Sequence, residues 1–185
     1  MSVAIGLRAM RGGSVAVAVE GARAPRLVLS AFLATAADGD RVAHEPYHVA
    51  FETPAKAAAI VAEGRERQDR MALESLDEIV RRLSTKPAAA ALLVNRAGWV
   101  TDLLQYSLMS PEHPAVAEGL AVRDALRFAL ARRGIATIEM DEKSLPDLTP
   151  ADANARLKEM GAAAGKPWRK EQKLAALAAW MALKG

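Results

Sequence analysis

The chain has 185 residues, enough for one domain spanning residues 1–185, and at 51% hydrophobic but only 4% aromatic it must build its core from Val, Leu, Ile and Ala. The absence of cysteine excludes disulfides and thiolate metal sites and suits a reducing, cytoplasmic setting; a net charge of +3 permits a phosphate-bearing partner without demanding one. The first residues lack the basic flank and apolar run of a signal peptide, and no uncharged apolar stretch reaches about 18 residues, so no membrane partner is expected.

Three strands are predicted first. Residues 3–9 are apolar apart from Arg8, and residues 14–20 (SVAVAVE) alternate valine with alanine at period two. Arg11-Gly12-Gly13 between them is a turn signal, so the two form a hairpin. A second turn over residues 21–25 leads to a third strand, residues 26–34 (RLVLSAFLA), and the short connections favour antiparallel pairing. Residues 36–52 are polar and carry Asp38-Gly39-Asp40 and two histidines; they predict a loop with room for a short extended piece at residues 47–51. Thr53-Pro54 is an N-cap followed by proline at the first helical position, opening a helix that runs to about Leu83 with Gly64 as a point where it bends or splits. Arg65, Arg67 and Arg70 interleave with Glu63, Glu66 and Asp69 as a salt-bridged helix face.

Lys86-Pro87 ends that helix, and residues 88–94 predict a buried strand. Residues 95–114 predict irregular structure, with His113 in an exposed turn. Residues 116–133 predict an amphipathic helix that Gly134 stops; residues 135–140 predict the next strand. A helix from Thr149-Pro150 to Gly161, a basic loop at residues 165–170 and an alanine-rich helix over residues 171–183 complete the order β-β-β-α-β-α-β-α-α. That order predicts an α/β fold: a mixed sheet of three antiparallel strands and then parallel strands, with helices on both faces.

The order is that of ribonuclease H-like domains, and the motifs resemble the YqgF family, relatives of RuvC-type Holliday junction resolvases. From Val122, VRDALRFALARRGIATIEMDEKS resembles the family's helix, strand and Asp-Glu at the strand end. Thr149, Ala153, Leu157 and Gly161 resemble its Thr–Ala–Leu–Gly spacing, and EQKLAALAAWMAL resembles its final helix. AIGLRAMRGGSVAVAVE resembles its first strand, turn and second strand, whose pattern is Gly-Ile-Asp-x-Gly.

The resemblance implies a nuclease that holds two divalent cations about 4 Å apart on carboxylates, with Mg or Mn as the cofactor. Taken position by position, the first-strand aspartate is replaced by Arg8, and the aspartate opening the last helix falls on Gln172, with Glu171 beside it. The Asp141-Glu142 pair is kept; the family's glycine-rich fourth-strand end reads Asn95-Arg96-Ala97-Gly98. A guanidinium does not give up its proton and repels a metal. The expected protein is therefore a catalytically inactive ribonuclease H-like protein without a metal cofactor, binding nucleic acid or a protein partner. Two other readings stand beside it: a nuclease using Asp141, Glu142 and Glu171 in a rearranged site, and a protein-interaction scaffold with no nucleic-acid role. The nucleic-acid candidates are Arg8, Arg11, Lys166, Arg169, Lys170 and Lys173, with Trp168 either a surface for base stacking or a cap on the core. His44 and His48 have the spacing of zinc ligands on a helix, but Pro46 between them favours solvated loop residues. Gly12-Gly13-Ser14 reads as a plain hairpin turn, since no phosphate-loop pattern is present. Nothing in the residues specifies an oligomeric state.

Overall fold

The computed structural model describes residues 1–95 and 99–184; the Arg96-Ala97-Gly98 part of the fourth-strand end lies outside the described residues. Five strands, β1 (Val3–Met10), β2 (Gly13–Glu20), β3 (Arg26–Ala34), β4 (Ala89–Val94) and β5 (Ala136–Asp141), form one sheet in the order β3-β2-β1-β4-β5. β1–β2 and β2–β3 pair antiparallel, β1–β4 and β4–β5 parallel. This is the mixed sheet expected from the sequence.

The alternation in β2 shows how the layers are made. Val15, Val17 and Val19 point to one face and Ala16 and Ala18 to the other, and all five are buried. A central strand covered on both sides is apolar throughout rather than half polar. The alanine face is closed by α3 (Ala57–Arg81) and α5 (His113–Arg132), which contribute Leu76, Ile79, Leu126 and Leu130. The valine face is closed by α6 (Ala153–Ala164) and α7 (Lys170–Ala182), with Trp180 donating from Nε1 to the Ala22 carbonyl at 2.9 Å. α7 lies directly on the backbone of β1: a Cβ on Gly6 would meet the Ala175 carbonyl oxygen at 1.8 Å. Only glycine allows that approach.

Three regions depart from the expectations above. Residues 36–52 are not a loop: α1 (Arg41–His44) and α2 (Pro46–Glu52) lie there. Pro46 occupies the first turn of α2, where its missing N–H costs nothing, so it starts a helix instead of preventing one. Gly64 does not split α3, which runs unbroken from Ala57 to Arg81. A Cβ there would come within 2.5 Å of the Val42 carbonyl oxygen and 2.6 Å of the Pro46 side chain, so the glycine seats α1 and α2 on α3. Residues 95–114 contain α4 (Leu103–Leu108), capped by Asp102, whose carboxylate accepts from the Gln105 N–H at 2.9 Å. His113 is half-buried at the start of α5 and stacks on Tyr106 with ring centroids 4.0 Å apart, rather than standing in an exposed turn.

The arginine-rich face of α3 is only partly internal. Arg67 pairs with Glu63 one turn away, but also with Asp40, while Arg65 reaches Asp124 on α5 at 2.9 Å. No helix among the described residues is long and apolar enough to cross a membrane.

Candidate functional site

The pairing register aligns Phe32, Val15, Arg8, Leu93 and Met140 in one row across the sheet, near the carboxyl ends of the parallel strands. Ligand clefts of open α/β sheets lie at such ends. Arg8 follows Ala4 and Gly6 at period two along β1, so its side chain falls on the α7 face, just beyond the point where α7 rests on the strand.

Its guanidinium bonds Glu142 in a fork, Nε donating to Oε2 at 3.1 Å and Nη2 to Oε1 at 2.9 Å. Nη1 stands 3.8 Å from Oε1 of Glu171, in the first turn of α7. Three residues far apart in the chain thus meet at one point, two carboxylates around one cation. Their side chains are only 22 to 31% exposed, so the charges are screened less than at a free surface. Asp141 shapes the turn after β5, where its carboxylate accepts the Lys143 N–H at 2.9 Å and lies 3.5 Å from the Ser144 hydroxyl. Among the described residues no group of three His, Asp or Glu side chains is placed to hold a metal ion. The donor set that the resemblance assigns to two divalent cations does not suit them, because the centre of the cluster is itself a fixed positive charge.

The predicted basic residues spread over a wider surface. Arg11, at the tip of the hairpin, pairs with Glu45 of α1–α2. Lys166, Arg169, Lys170 and Lys173 are exposed, and the three lysines make no salt bridge among the described residues. Arg169 and Pro167 border a groove of about 440 Å³ with Met10, Val15 and Phe32 of the sheet, so the 166–170 loop and the Arg8 end of β1 do flank one depression. Trp168 is half-buried. Its Nε1 donates to the Leu157 carbonyl at 3.0 Å and its ring fills the space above Gly161, so it packs on α6.

His44 and His48 sit on different helices and are half-buried rather than solvated. His48 Nδ1 lies 2.8 Å from Oε1 of Glu118, which also accepts the His48 N–H at 3.1 Å. Arg123 of α5, which the sequence alone did not single out, reaches the same end of the sheet. It donates from Nε to the Leu93 carbonyl at 3.3 Å and from Nη1 to the Gly119 carbonyl at 3.1 Å. Burial, followed by the field of Arg127, holds its pKa below the usual guanidinium value.

No family profile matches the chain, and no curated protein is detectably similar to it. Solved structures are, among them two of RuvC. Thermus thermophilus RuvC in complex with a Holliday junction substrate superposes with a TM-score of 0.56 at 14% identity, over 97% of this chain and 91% of that one. A further Thermus thermophilus RuvC structure superposes with a TM-score of 0.52 at 14% identity, over 96% and 91%. The protein therefore has the ribonuclease H-like fold that RuvC has, along nearly its full length.

Proposed function

We propose that this protein is a ribonuclease H-like, catalytically inactive binder of nucleic acid, which holds phosphates along the strand-end cleft without cutting them. The observation that carries this reading is the Arg8 fork on Glu142, with Glu171 at 3.8 Å. It supplies as a built-in cation the charge compensation that a metal pair supplies in a nuclease. The motif order from Val122 onward supports kinship with the YqgF branch of the superfamily. The RuvC structure that carries a Holliday junction supports nucleic acid as the partner class. The exposed Lys166, Arg169, Lys170 and Lys173 supply cations beside the cleft.

Two measurements test it. Branched DNA, single-stranded DNA and structured RNA should survive incubation with magnesium or manganese at the background rate. Cleavage that vanishes in Glu142→Ala would establish the nuclease reading through Asp141, Glu142 and Glu171 instead. Fluorescence anisotropy with a labelled oligonucleotide should show binding that weakens with salt, each phosphate contact adding roughly 0.7 to 0.9 to the slope of log affinity against log salt. Arg169→Ala with Lys170→Ala should flatten that slope by about one to two units. No binding at low salt would leave a protein partner and the scaffold reading.

A further inference from the structure

On the opposite side of β1 from the Arg8 cluster lies a cavity of about 340 Å³, closed by the β1–β2 turn, α1, α2 and α5. Its volume is that of a small-molecule site. The two short helices, which the sequence did not announce, make one wall of it with His44 and His48.

Arg123 lines this cavity and is charged without a carboxylate of its own. The carboxylates whose fields reach it, Glu142 and Glu139, are already bonded to Arg8 and Arg127. Among the described residues its hydrogen bonds go to two backbone carbonyls only. A half-buried cation with unfilled donors favours an anion that can bond it directly. Glu118 lines the same cavity, 7% exposed and held by His48 through backbone and ring. A highly charged anion would be repelled by Glu118, whereas a ligand with one phosphate and several hydroxyl or amino donors satisfies both. Between them Ala9, Met10 and Val122 offer apolar surface suited to a base.

We propose that this cavity binds a nucleoside monophosphate, its phosphate on Arg123 and its sugar or base donors toward Glu118. A phosphate monoester on a nucleoside occurs both as a free nucleotide and at the end of a strand. A continuous strand does not fit a pocket of one-nucleotide size, so the ligand is a terminus or a single nucleotide. This site is separate from the Arg8 cluster, and its test does not depend on the outcome of the cleavage assay.

The experiment is isothermal titration of the full chain with AMP, CMP, GMP and UMP, with adenosine, with inorganic phosphate, and with a 5′-phosphorylated tetranucleotide and its unphosphorylated twin. At least one monophosphate should bind, adenosine and inorganic phosphate at least tenfold more weakly. Arg123→Gln should cost tenfold or more. Since Arg123 also bonds two carbonyls, Gly119→Leu is the companion variant. A Cβ there meets only the Arg123 Nη1 at 3.8 Å, so the side chain enters the cavity without disturbing the helix. It should keep the melting temperature and lose the binding. A phosphorylated tetranucleotide that binds more tightly than AMP assigns the site to a strand end, and the reverse order to the free nucleotide. Failure of all four monophosphates and the tetranucleotide at millimolar concentration, or unchanged binding by Gly119→Leu, overturns the proposal.

Discussion

Arg8 and its two carboxylates form a unit in which each member depends on the others. Removing the guanidinium leaves Glu142 and Glu171 facing each other in a half-buried setting, which costs more than losing a surface pair. Arg8→Ala should lower stability by about 1 to 3 kcal/mol in urea denaturation at neutral pH. The double variant Arg8→Ala, Glu142→Ala should recover part of that loss, because one of the opposed charges is gone. Additive costs in the cycle would mean that the fork is not energetically coupled. Gly6 is the other sensitive position on β1. Gly6→Ala puts a methyl group into the Ala175 carbonyl and has to lift α7 off the sheet. A loss of about 3 kcal/mol or more is expected, read as a fall in the thermal midpoint.

At the scale of elements, α1 and α2 are pinned by charge as well as by packing. Arg41 donates to both Glu45 and Glu52, and these bonds hold both carboxyls below the usual carboxylate range. A lowered folded pKa means that the contribution is present above the unfolded value of 4.5 and fades as pH falls through the folded values. The stability gap between wild type and Arg41→Gln should therefore be measurable at pH 7 and shrink as the pH falls below 4.5; a gap that widens in acid would contradict this. Trp168 belongs to α6 by its contacts, so Trp168→Ala should cost about 2 to 4 kcal/mol in stability. A base-stacking surface would instead lose single-strand affinity with the fold intact. Long periodic segments were legible: β2 declared itself by alternation, and α3, α5 and α7 by period and punctuation. The short helices were not. Four to seven residues give no period, and Pro46 and Asp102 were cap signals without a repeat behind them to make them count. The same logic divides the candidate sites. Arg8, Glu142 and Glu171 were visible because motif positions named them, but their meeting spans 134 residues of chain between Arg8 and Glu142. Arg123 had no local signature, since what sets it apart is the absence of a carboxylate in a place only the fold creates.

For the molecule as a whole, the sheet works as a partition with different business on each side. The valine face ends in the Arg8 cluster, and the alanine face ends in the cavity beside α1 and α2. The seating of α7 on Gly6 has one more consequence, for how the protein is made. The β1–β2 hairpin leaves the ribosome well before the helix that closes its valine face, residues 170–182. At about 5 to 20 residues per second the interval is roughly 10 to 30 s. Throughout it Val15, Val17 and Val19 have no helix to lie under. The nascent chain thus presents a sticky, strand-forming surface throughout that interval.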